Sequence, residues 1–190
     1  MDLEIKELTP NLSEDYLYFF DEVAHEDCYC VCYSSDDQTG YDFQSKDVRR
    51  NYALKYIKEG KIRGFLAYKD GKVIGWCNVN DRDECYQCQG WNNMLSAVKK
   101  EDTDHKGLKI KSIFCFTISP VMRRHGIAAK FLEYVLNDAK KKGYDVVEAY
   151  PYKEFINIYY DHMGPYELYK KYDFTTYQEL GKRVVLRKDL

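Results

Sequence analysis

A chain of 190 residues, with 29 Lys and Arg against 31 Asp and Glu and a net charge of −2, suffices for one well-buried domain. Its basic residues are spread along the chain, which argues against a nucleic-acid-binding surface, and no apolar run approaches the roughly 20 residues that span a bilayer. Seven cysteines, an odd number, follow an acidic Met1-Asp2-Leu3-Glu4 start without a signal peptide's pattern, so free thiols and a cytoplasmic location are expected rather than disulfides.

In chain order, Leu3, Ile5 and Leu8 suggest a first strand ended by Thr9-Pro10. Ser13 is placed to cap a helix through Tyr16, Leu17, Phe19, Phe20 and Val23. The strict alternation of Cys28-Tyr29-Cys30-Val31-Cys32-Tyr33 predicts an extended segment with three thiols on one face. A polar loop with Gly40 leads to a second helix, from about Ser45 to Glu59, with Val48, Tyr52, Tyr56 and Ile57 inward. Phe65-Leu66-Ala67-Tyr68 and Val73-Ile74-Gly75-Trp76 flank an Asp70-Gly71 turn and predict a tight β-hairpin. The polar stretch from about 80 to 108, with Cys85-x-x-Cys88, Trp91 and a short helix near Met94 to Lys99, reads as a lid or acceptor-recognition insertion in a single domain spanning 1–190.

The most informative stretch follows. An apolar run, Ile113-Phe114-Cys115-Phe116-Thr117-Ile118, is ended by Ser119-Pro120. The basic turn Arg123-Arg124-His125-Gly126 then opens into a helix with Ile127, Phe131, Val135 and Ala139 on one stripe. Lys140, Lys141 and Lys142 load the negative end of the helix, and Gly143 stops it. The first N–H groups of a helix lack internal partners and can cradle phosphate oxygens. Arg123 and Arg124 add full charges there, and Gly126 removes a Cβ that would block close backbone approach. Beyond this helix, Asp145 to Tyr150 predicts a buried strand, Gly164-Pro165 starts a last helix to about Tyr172, and 175–177 and 183–186 close as strands.

The pattern Arg-x-x-Gly-x-Ala at Arg123, Gly126 and Ala128 resembles the acyl-CoA signature, Q/R-x-x-G-x-G/A, of the GNAT superfamily of N-acyltransferases. Leu168-Tyr169-Lys170-Lys171-Tyr172-Asp173-Phe174 resembles its second signature, L-Y-x-x-x-G-F, with Asp173 where glycine is usual. The order β-α-α-β-β-β-α-β-α-β-β also fits. The resemblance implies an α/β (α+β) fold: a central mixed, mostly antiparallel twisted sheet flanked by helices and splayed at the acyl-CoA site. It also implies acetyl-CoA as co-substrate, with the acetyl group passing by direct attack to a primary amine. The acceptor would be a small-molecule amine, a peptide N-terminus or a lysine, and the protein a monomer or homodimer.

Carried over by position, Phe116, Thr117 and Ile118 would meet the pantetheine arm and thioester. The amides of Arg123, Arg124, His125, Gly126, Ile127 and Ala128 would take the pyrophosphate. Tyr169 would protonate the departing thiolate, with Tyr172 its neighbouring alternative. Glu148, inside an otherwise apolar strand, is the candidate general base, against the plainer reading of a glutamate paired with a lysine or arginine. His162 and Glu84 are weaker substitutes for it. Cys28, Cys30 and Cys32 with Cys85 and Cys88 invite a thiolate zinc site, but C-x-C-x-C is not a usual partner of a C-x-x-C pair, so no metal is expected and core thiols are. A covalent acyl-enzyme at Cys115 is a lesser route. The rival from another class is a non-catalytic acyl-CoA sensor or interaction module on the same fold.

Overall fold

The computed structural model describes residues 3–99 and 107–190. Its strands are β1 (Glu4–Glu7), β2 (Gly64–Lys69), β3 (Lys72–Asp81), β4 (Ile110–Ile118), β5 (Val146–Ala149), β6 (Thr175–Leu180) and β7 (Arg183–Asp189). They form one open sheet in the order β1-β2-β3-β4-β5-β7-β6. Every pairing is antiparallel except β4 with β5, whose parallel alignment requires the crossover helix α5 (Ile127–Lys141). The expected mixed, mostly antiparallel sheet flanked by helices is observed.

Alternation along the strands sends side chains to two faces. On β2, Phe65 and Ala67 join one core cluster, while Leu66 and Tyr68 join the other. The first face packs against α5, whose buried residues include the predicted stripe Ile127, Phe131, Val135 and Ala139, and against α6 (Tyr166–Lys171) through Tyr169. The opposite face carries α1 (Ser13–Tyr18), continued by a π-helical turn through Val23, and α2 (Lys46–Lys58). Ser45 caps α2, its hydroxyl accepting from the Val48 amide at 3.2 Å. The Asp70-Gly71 turn has positive φ at both residues, 51° and 74°, which suits the twist of a two-residue hairpin.

Four local expectations differ from the structure. Ser13 does not cap α1: it is the first helical residue, and its hydroxyl donates to the Pro10 carbonyl at 2.7 Å. Cys28 to Tyr33 is not a strand: Tyr29 and Cys30 take left-handed φ values of 44° and 47°, and Val31–Tyr33 is a 3-10 turn. The Tyr29 carbonyl accepts from Tyr16 Oη at 2.7 Å, and Cys30 Sγ accepts from Trp76 Nε1 at 3.3 Å. These tertiary bonds hold a conformation that costs on the order of 1–3 kcal/mol per residue. Within the polar stretch, the helices are α3 (Arg82–Cys85) and α4 (Gln89–Met94), so the expected helix at Met94 lies earlier; residues 100–106 of that stretch are outside the described residues. Finally, β4 begins at Ile110, three residues before the predicted run.

β4 also carries a bulge. Asn78 pairs with Cys115 but Val79 pairs with Ile113, leaving Phe114 as an extra residue. Phe114 and Cys115 therefore point to the same face although adjacent in sequence, the former into a third cluster with Trp91 and Tyr150.

Candidate active site

β4 and β5 pair only between Ile110–Ile113 and Val146–Ala149. β5 stops there, whereas β4 runs on to Ile118 with β3 alone as its partner. Beside this free stretch a cavity of about 520 Å³ opens. Phe116, Thr117 and Ile118 line it, together with Arg123, Arg124 and Ala128 from the turn and the start of α5. Of the residues expected at the cofactor, His125, Gly126 and Ile127 do not line the cavity, and the Ile127 side chain packs into the core.

The turn is held open by its own backbone. Arg124 and Gly126 have φ values of 64° and 78°, and Arg123 Nε donates to the Ile118 carbonyl at 3.2 Å. Gly126 is the N-cap of α5, no side chain caps that end, and the first turn holds no acidic residue. A Cβ built on Gly126 would meet nothing within 4 Å, so its glycine serves the left-handed φ and open space rather than close packing. Free amides, the helix dipole and two arginines make this end of the cavity suited to an anion.

Tyr169 is fully buried on α6, and its hydroxyl donates to the Met163 carbonyl at 2.6 Å. Burial pushes its phenol pKa well up, with the Cys77 and Cys115 thiols adding to the shift. Gly164, which lines the cavity, covers this hydroxyl: a Cβ there would stand 2.8 Å from Tyr169 Oη. Tyr172 instead donates to Glu133 at 2.8 Å. Asp173, in the place of the signature glycine, keeps a glycine-like φ of 60°.

Glu148 is not brought to the cavity. It is completely buried, with Oε2 receiving Arg82 Nη1 at 3.0 Å and Arg187 Nε at 2.6 Å, and Oε1 receiving Tyr150 Oη at 2.7 Å. The plainer reading, a glutamate paired with arginine, describes this geometry. Glu84, the second substitute, pairs with Arg63 at 2.8 Å and lines a separate depression.

The far end of the cavity was not foreseen as a unit. Cys28, Cys30 and Cys32 all face it, brought together by the left-handed turn rather than by an extended strand, and Cys115 joins them from β4. A hydrogen bond from the Cys30 thiol lowers the Cys28 pKa, while burial raises that of Cys32. Cys85 and Cys88 belong to another cluster, and among the described residues no group of three or more Cys, His, Asp or Glu is placed to hold a metal. Tyr33, Met94, His162 and the exposed Phe155, Ile158 and Tyr159 complete this end, with Asp161 as its acid; Glu26 lines the cavity within reach of the Arg123 charge. Only the three-thiol spacing signalled it in the sequence.

Residues 25–164 match the family model described as Acetyltransferase (GNAT) family. The chain belongs to that family. By sequence, no curated protein matches it. Among solved structures it is similar to the PaiA N-acetyltransferase of Thermoplasma acidophilum in complex with coenzyme A, with 16% identity and a TM-score of 0.57. It is also similar to a polyamine N-acetyltransferase of Drosophila melanogaster that forms N-acetylagmatine (11%, 0.60) and to a mosquito arylalkylamine N-acetyltransferase-like protein, 5b (12%, 0.61). Each likeness covers 100% of both chains and shows the fold. Among the described residues, no helix is long and apolar enough to cross a membrane.

Proposed function

We propose that this chain transfers the acetyl group of acetyl-CoA to a primary amine by direct attack on the thioester. One observation carries the reading: a single cavity joins an anion-suited helix start and the free stretch of β4 to a pocket walled by thiols and aromatic rings. In this reading Phe116, Thr117 and Ile118 meet the pantetheine arm, and Arg123 to Ala128 hold the pyrophosphate. Tyr169 protonates the thiolate once its hydroxyl exchanges the Met163 carbonyl for the sulfur; its raised pKa keeps that proton in place until then. Glu148 neutralises arginines instead of acting as the base.

The acceptor end is largely apolar with an acid at Asp161, which suits a small amine on a slim apolar body. The similar structures include enzymes named for polyamine and arylalkylamine acetylation, which is consistent with a small acceptor. Met94, from the 80–108 stretch, reaches the same wall, which supports an acceptor-facing role for that stretch within a single domain.

Calorimetric titration with acetyl-CoA, beside the Gly126→Glu variant, tests the cofactor half. Micromolar binding is expected for the wild type and loss of it for the variant, because a carboxylate and a strained φ then occupy the anion's place. A folded wild type that binds no acetyl-CoA overturns the reading. Binding without acetylation of any amine in a broad screen leaves the sensor in its place.

A further inference from the structure

Two titratable groups in the acceptor wall are bonded to each other: Tyr33, which has no role above, and His162, until now only a substitute base on sequence grounds. His162 Nδ1 lies 2.7 Å from the Tyr159 carbonyl. A carbonyl only accepts, so Nδ1 carries the proton and Nε2 keeps its lone pair. Nε2 is 3.0 Å from Tyr33 Oη, nearer than the phenol's other acceptor, the Met94 sulfur at 3.9 Å, so the phenol donates to it. The Tyr33 ring is fixed by stacking on Phe114, with centroids 4.8 Å apart and planes 19° from parallel. Both residues line the cavity beside Cys115, Phe116 and Thr117, where the reading above puts the thioester.

We propose that Tyr33 and His162 form the relay that takes the proton from the acceptor amine. The proposal rests on the acetyl-transfer reading of the same cavity. As the amine nitrogen bonds to the thioester carbon, one N–H proton passes to Tyr33 Oη while the Tyr33 proton passes to His162 Nε2. The C–S bond then breaks, its electron pair leaves on the CoA sulfur, and Tyr169 protonates that sulfur. The half-buried imidazolium returns its proton to water, and Tyr169 recovers one from water. No oxidant or further reactant is needed.

The surroundings fit this sequence. Burial, aided by Arg183, holds the His162 pKa below its ordinary value, against the Tyr159 carbonyl and Asp161, so the imidazole is neutral and able to accept at pH 7. Burial, with the thiols of Cys32, Cys115 and Cys30, holds the Tyr33 phenol well above its ordinary value. A free phenolate is therefore avoided, and the two transfers occur together. Cys28 and Tyr159 are the remaining titratable groups of this wall, and Glu26 lies beyond them within reach of the Arg123 charge.

The test is the pH profile of kcat/KM for amine acetylation by the wild type, Tyr33→Phe, His162→Gln and the double variant, with acetyl-CoA affinity measured for each. The wild type should lose activity on the acid side with a midpoint below 6.5. Each single variant should lose about 10²–10³-fold in kcat/KM, and that acid limb, while binding acetyl-CoA as the wild type does. The double variant should be no worse than the worse single one, because the pair acts as a unit. Single variants within about threefold of wild type, or losses that multiply, overturn the relay. Should His162→Gln fail to bind acetyl-CoA, Tyr33→Phe decides alone, since its ring stack is preserved. A wild type that binds acetyl-CoA yet acetylates no amine brings down the acyl-transfer reading and the relay with it; silent variants beside an active wild type count against the relay only.

Discussion

The Glu148 carboxylate shares one oxygen between two guanidiniums and gives the other to a phenol, all shielded from water. Arg82, itself fully buried, lies over the Tyr86 and Trp91 rings, so the carboxylate is what balances charge in this part of the core. Removing one partner of such a group leaves the others uncompensated, at a cost of about 3–5 kcal/mol. Glu148→Gln should therefore lower the melting temperature by roughly 6–20 °C, at 2–4 °C per kcal/mol for a chain of this size. Below its new melting point the variant should keep its turnover within a few-fold. An unchanged melting temperature with turnover lost by about 10²-fold or more would instead restore Glu148 as the base. The sequence could show that the position was interior and charged, but not its partners: Arg82 is 66 residues away.

Among the elements, the segment between β5 and α6 shapes the cavity most. Its 3-10 turn, Tyr160–Met163, packs beside β4 where β5 has ended, and Gly164 follows with φ of 92°. Gly164→Ala would place a Cβ 2.8 Å from Tyr169 Oη and 2.9 Å from a Phe116 ring carbon, in a backbone conformation unfavourable to alanine. Overpacking of this kind costs about 1–3 kcal/mol, to be read from denaturant unfolding. Acetyl-CoA affinity should fall as well, because Phe116 must shift; unchanged stability and affinity would mean that the segment is not packed against β4 as described. The elements legible in the sequence were those whose hydrophobic period is unambiguous: the β2–β3 hairpin and α5 have their expected places. Cys28 to Tyr33 looks like a strand in the sequence because alternation of Cys with Tyr and Val is what a strand shows. Its left-handed turn depends on Tyr16 and Trp76, and such long-range bonds leave no local trace.

Across the molecule, tyrosine hydroxyls tie elements together through carboxylates. Tyr68 on β2 donates to Asp15 on α1, Tyr144 before β5 to Asp81 at the end of β3, Tyr172 after α6 to Glu133 on α5, and Tyr56 on α2 to Asp42. Burial, and then the adjacent carboxylate, raises the pKa of each of these phenols. A raised folded-state pKa stabilises the fold fully below the unfolded value near 10, and this contribution is lost as pH rises through the folded value. Stability should thus fall steeply above about pH 10. The part of the phenolate absorbance that a Tyr→Phe change at each of these four positions removes should lag behind that of free tyrosine and rise together with loss of the far-ultraviolet helix signal. Titration of that part near pH 10 before unfolding would refute the ties.

The gap between β4 and β5 has a consequence for how this protein avoids its own kind. A sheet ordinarily leaves unpaired backbone at its rims, where another chain can add a strand and begin a fibre. Here the rim strands are β1, with charged Glu4, Lys6 and Glu7, and β6, with exposed Glu179, both poor templates for such growth. The stretch of β4 beyond Ile113 is instead inside the sheet, flanked by helix and loop. Its unpaired main-chain groups face a cavity lined by side chains instead of an open rim. The fold can thus offer main-chain hydrogen bonds to a small guest while remaining unattractive to aggregation.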